Sequence, residues 1–107
     1  MSKKIDKIEF PTTVDCEGML YSVTKSDKVT NSVSVLYGKV DYDTQEIVVS
    51  NQVSPTRQNQ ILLHECVHAL SHELDLDLSE TQVVGMTLGL KNFIKNNQEF
   101  ITILMHN

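Results

Sequence analysis

His64-Glu65-Cys66-Val67-His68 places two metal-ligating side chains and one carboxylate at a spacing that suits an α-helix. Residues four apart lie one turn apart on the same helix face, so both imidazoles can reach a single ion. Glu65 projects about 100° around the axis from His64, a consequence of 3.6 residues per turn. It can therefore approach a water held by the ion without occupying a coordination position. Two nitrogen ligands and one base are what metal-assisted hydrolysis needs. H-E-x-x-H is the zinc pattern of metalloproteases, with the glutamate as general base.

A hydrolytic zinc site usually has three protein ligands and one position left for water. The longer pattern H-E-x-x-H-x-x-G-x-x-H would put its third histidine at residue 74, which here is Leu74. Two candidates remain. Glu80 follows His68 by twelve residues and opens the next element, so a helix folding back could bring it to a His64, His68, Glu80 set. The helix macrodipole alone also favours an acid in that first turn. His72 continues the His64/His68 face, but His64 and His72 would stand about 12 Å apart along a straight helix, too far for one tetrahedral ion. That suits a cleft-edge or supporting role. Asp75 and Asp77 could orient an imidazole, although they also read as solvated loop carboxylates. Tyr37 and Tyr42 could face an oxyanion or simply pack. Cys66 projects off the histidine face as a core thiol, and His106 is a tail residue.

The elements that must position these residues fall into two halves. Ile5 to Phe10, Met19 to Thr24, Val33 to Val40 and Glu46 to Ser50 read as strands, the last two forming a hairpin across Asp41-Tyr42-Asp43-Thr44. Ser54-Pro55 then marks a helix start, with serine as N-cap and proline in the first helical position. Ile61, Leu62, Leu63, Cys66, Val67, Ala69, Leu70 and Leu74 recur at helical spacing and leave the histidine face free. Ser79-Glu80-Thr81-Gln82 fits a capping box, which predicts a second helix to about Lys95 burying Val83, Met86, Leu90, Phe93 and Ile94. Gln98 to Met105 completes the chain as a short helix. Strands (about 5–50) followed by helices (about 55–105) give an α+β class, expected as a small antiparallel sheet beneath the H-E-x-x-H helix and a second packed helix.

The 107 residues suit one domain with one core. A net charge of −5 argues against a nucleic-acid surface, because affinity for phosphate backbones comes from clustered Lys and Arg. Cys16 and Cys66 form no C-x-x-C pair and read as free thiols of a reducing, cytoplasmic compartment. No run is fit for a signal peptide or a membrane span.

Tyr37-Gly38, the strand Glu46-Ile47-Val48-Val49-Ser50, Arg57-Gln58 and Leu62-Leu63-His64-Glu65-Cys66-Val67-His68 together resemble the ImmA/IrrE-type zinc metallopeptidases. The likeness is to the short form common in phage and prophage genomes, and it spans roughly residues 35 to 95. It implies a compact zincin in which His64 and His68 bind one Zn2+, Glu80 is the third ligand and Glu65 the catalytic base. Ile61 stands where the family often has Thr or Ser, and Glu80-Thr81-Gln82-Val83 is less acidic than the family's corresponding segment. The resulting expectation is a cytoplasmic zinc-dependent endopeptidase with a protein or peptide substrate and no nucleic-acid or membrane partner. The competing expectation is a zinc-binding phage or prophage regulatory or interaction protein on a zincin scaffold, with little or no turnover.

Overall fold

A computed structural model describes residues 8–30 and 35–107. Among the described residues, six strands precede three helices: β1 (Thr13–Cys16), β2 (Met19–Ser26), β3 (Val29–Thr30), β4 (Val35–Leu36), β5 (Gly38–Asp41), β6 (Glu46–Ser50), α1 (Pro55–Glu73), α2 (Glu80–Asn96) and α3 (Gln98–Met105). The chain is α+β. Among the described residues, no helix is long and apolar enough to cross a membrane.

The main sheet has the order β1-β2-β6-β5, while β3 and β4 pair apart from it. β1 and β2 are antiparallel, as are β5 and β6, but β2 and β6 run parallel from Ser22↔Glu46 to Ser26↔Ser50. The sheet is therefore mixed, where an antiparallel sheet was expected. The hairpin β5–β6 forms as expected, pairing Gly38↔Val49 to Asp41↔Glu46, and docks with β6 inward. Parallel neighbours need a long crossover, and residues 27–45 supply it. β5 is left at the sheet's edge beside α1.

The expected strand at Ile5 to Phe10 lies partly outside the described residues, and Ile8 to Phe10 form no strand. β1 begins after Pro11 because its partner lies one tight turn away. Glu17 and Gly18 both have positive φ (56° and 87°), the requirement of a type I′ hairpin turn, and Gly18 N donates to Asp15 Oδ1 at 2.7 Å. The expected strand Val33 to Val40 divides at Tyr37, since β4 pairs with β3 and β5 with β6. Val33 and Ser34 lie outside the described residues.

Alternation along β2 and β6 turns Tyr21, Val23, Ile47 and Val49 to one face, where they meet Ile61, Leu62 and Ala69 of α1. That face is the core, and it holds α1 across the sheet. The Tyr21 hydroxyl donates to Glu73 Oε2 at 2.7 Å, tying the end of α1 to the same strand. Cys16 and Cys66 are free; burial pushes both thiols up, Cys66 to about 12.

α2 packs on α1, but its burial differs from the periodic reading. Val83 and Thr87 are buried, whereas Met86, Phe93 and Ile94 are exposed and Leu90 is half-buried. Helical period marks an apolar face; burial also needs something to lie against it. Among the described residues, α2's main neighbours are α1 and α3, and Phe93 meets Phe100 of α3 edge-on with ring centroids 6.3 Å apart.

Candidate metal centre

The Ser54 hydroxyl caps α1 by accepting the Arg57 N–H at 3.2 Å, with Pro55 opening the helix as its residue type predicts. Nineteen residues then run without a break, and His64 and His68 share one face with rings 4.9 Å apart in an edge-to-face arrangement. α1 ends at a turn built by Asp75 and Asp77, both left-handed with φ of 55° and 54°. Aspartate tolerates that conformation better than most side chains because it can bond locally to backbone. Buried Ser71 fixes the turn from below: its carbonyl accepts Leu76 N–H at 2.9 Å and its hydroxyl accepts Leu78 N–H at 3.0 Å. The chain thereby reverses into Ser79, which caps α2 in a reciprocal box with Gln82.

This reversal delivers Glu80 to the histidines. Its Oε2 lies 3.0 Å from His64 Nε2 and its Oε1 lies 2.8 Å from His68 Nε2. The three side chains offer two nitrogens and a carboxylate oxygen, all within 4.8 Å of one another. Among the described residues they are the group that could hold a metal ion. The donor set fits zinc, which takes imidazole nitrogen and carboxylate oxygen at about 2.0–2.2 Å. Burial holds His64 below its ordinary pKa, countered by Glu80 and reinforced by His68, which favours the neutral imidazole that a metal ion needs.

Glu65 lies beneath this group. It is 6% exposed, while the Glu80 side chain is 66% exposed. Burial, then the nearby Glu80 carboxylate, pushes Glu65 up to about 7. A carboxyl that exchanges its proton near neutrality suits general acid–base work. One wall of its niche is backbone: a Cβ on Gly38, at the start of β5, would overlap the Ile61 Cγ2 methyl and come 3.1 Å from Glu65 Oε2. The absence of a side chain at Gly38 lets the edge strand approach Glu65 this closely.

A family model of peptidases described as the IrrE N-terminal-like domain matches residues 21–84. The chain belongs to this family. Comparisons with curated proteins and with solved structures give no significant match. The stretch shared with the IrrE N-terminal-like domain runs from β2 to just past Glu80, so it contains the hairpin, all of α1 and the whole donor group. This is a metallopeptidase-like domain.

The remaining candidates stand apart from the donors. His72 stacks flat on Tyr42, centroids 4.1 Å apart and planes 8° from parallel, at the edge of a second recess that His68 also borders. Asp75 and Asp77 are exposed turn residues along the same recess. Tyr37 is exposed with the Arg57 guanidinium 5.3 Å from its ring centre, and His106 bonds the Thr102 carbonyl in α3. Sequence reading passed over Gly38 as a steric element and Ser71 altogether. Ser71 is three residues past His68, but its role shows only once the turn folds onto it.

Because Ser71 anchors the turn that presents Glu80, Ser71→Ala should lower stability by about 1 kcal/mol, the cost of leaving the half-buried Leu78 N–H without its acceptor. It should also weaken metal binding several-fold. Urea unfolding and a zinc titration against a fluorescent chelator measure the two effects. Unchanged zinc affinity would show that Glu80 is placed by α2 alone.

Proposed function

We propose that the chain is a zinc-dependent endopeptidase. The observation that carries this reading is the convergence of His64, His68 and Glu80 above a buried Glu65, at the mouth of a cleft between α1, α2 and the edge strand β5. His64, His68 and Glu80 would hold the ion. A zinc ion bound there supplies Lewis acidity to the scissile carbonyl and to the attacking water.

The protein's own groups do the rest. Glu65, buried and poised near neutrality, takes the proton from the attacking water and returns it to the departing amine. Its niche against Gly38 fixes the direction from which it acts. β5 is an edge strand, so an extended peptide can add to it by main-chain hydrogen bonds and pass beside the donor group. The cleft of about 490 Å³ has room for several peptide residues.

The purified chain is expected to contain one zinc by elemental analysis. Cleavage of casein or of a peptide library should stop on treatment with 1,10-phenanthroline and return when zinc is restored. Peptide cleavage that survives complete metal removal would sink the proposal.

A further inference from the structure

The cleft beside the donor group continues well beyond it, and its far end is positive. Along α1 the residues Arg57, Gln60, Ile61 and His64 line it, and along α2 the residues Glu80, Val84, Leu88 and Lys91. The two helices pass the same wall in opposite directions, so Arg57 and Lys91 both lie away from the metal ligands. Arg57 precedes His64 by seven residues, about 10 Å of helix, and Lys91 follows Glu80 by eleven, about 16 Å. Among the described residues, no carboxylate comes within 4.0 Å of either cation. The acids that line the cleft, Glu65 and Glu80, belong to its other end. In a chain of net charge −5, two cations facing one cleft without an acidic partner among the described residues form a local inversion of charge.

Arg57 is also held for presentation. Its backbone N–H is fixed by the Ser54 cap, and its guanidinium lies over Tyr37, which keeps a flexible side chain extended toward the cleft. Between the cations and the donor group, Val84 and Leu88 are 52% and 59% exposed, so apolar side chains face the cleft uncovered.

We propose that this cleft selects peptides carrying a carboxylate, held by Arg57 and Lys91, about three residues from the scissile bond, with an apolar side chain between them against Val84 and Leu88. The distance follows from the helix rise to Arg57 divided by the roughly 3.3 Å that an extended peptide advances per residue. The inference rests on the endopeptidase reading for its register. The carboxylate could come from an acidic side chain or from a peptide C-terminus, and the chemistry of recognition is the same.

The test uses fluorescein-labelled, C-terminally amidated octapeptides of alanine and leucine, with Glu, Gln or Lys moved along the sequence. Binding is measured by anisotropy to the zinc-loaded Glu65→Gln protein, and cleavage by mass spectrometry with the wild type. Glu peptides should bind at least tenfold more tightly than Gln peptides at one register, with Lys peptides weakest. The ratio should fall to about one in Arg57→Gln/Lys91→Gln and invert toward Lys in Arg57→Glu/Lys91→Glu. A Gln peptide with a free C-terminus that matches the amidated Glu peptide would assign the carboxylate to the chain end. Equal binding of Glu, Gln and Lys peptides, or no binding up to millimolar concentration, overturns the inference. Carboxylate-dependent binding without cleavage by the wild type sinks the endopeptidase reading and leaves the cleft assignment standing.

Discussion

Glu65→Gln is expected to keep one zinc per chain and to lose peptide cleavage by roughly a thousandfold, the range attributed to a positioned general base. Glutamine preserves the shape and removes the proton acceptor, so retained zinc with lost turnover separates chemistry from binding. The same substitution should act on stability in the opposite sense. In the metal-free protein Glu65 is raised from 4.5 to about 7 by burial and by Glu80. A raised folded-state value favours the protonated form. The favourable contribution is complete below pH 4.5 and is lost as pH climbs through 7. Metal-free Glu65→Gln should therefore match the wild type near pH 4.5 and exceed it by about 2 kcal/mol at pH 8, given 1.36 kcal/mol per pH unit and some relief by water. Urea unfolding at the two pH values measures this. A variant as active as the wild type removes Glu65 from the reaction. Wild type and variant that bind zinc equally and both cleave nothing would favour a non-catalytic, regulatory use of the site.

Legibility in this sequence follows the range of each interaction. The H-E-x-x-H helix, its Ser54 cap and the Ser79–Gln82 box are written in residues within a few positions of one another, and each forms as its spacing implies. The hairpin β5–β6 is nearly as local. The parallel pairing of β2 with β6 is not, because it joins residues 24 positions apart across a crossover, and no local pattern encodes it. The Glu17-Gly18 turn carries a weak local signal, since glutamate is an unusual occupant of a positive-φ position. On α2, period alone assigned burial to Met86, Phe93 and Ile94, yet exposure depends on what packs against them. Within the candidate site the same rule holds. The shared face of His64 and His68 is legible in their spacing, and the approach of Glu80 in its place after the cap. The narrowness of the gap at Gly38 depends on where a strand and a helix meet.

Gly38→Ala tests that gap, and competing effects decide its sign. Replacing glycine elsewhere in a strand would restrict the unfolded chain and gain about 0.4–1 kcal/mol. Here the new methyl would overlap Ile61 Cγ2, a branched atom on a buried helix that cannot swing aside as a long side chain could. Overpacking of this kind costs about 1–3 kcal/mol, so the net effect should be destabilising. The methyl would also sit 3.1 Å from Glu65 Oε2 and 3.4 Å from Glu65 Cγ, pressing that carboxylate out of line. The kcat should therefore fall by one to two orders of magnitude with zinc content preserved, since a displacement near 1 Å can cost about a hundredfold. A double-mutant cycle separates the two consequences. In an Ile61→Ala background the clash partner is gone, so Gly38→Ala should cost much less stability than it does alone. Its effect on kcat should persist, because the contact with Glu65 is untouched by the change at Ile61. If Gly38→Ala leaves both unfolding midpoint and kcat where they were, the edge strand does not set the position of Glu65.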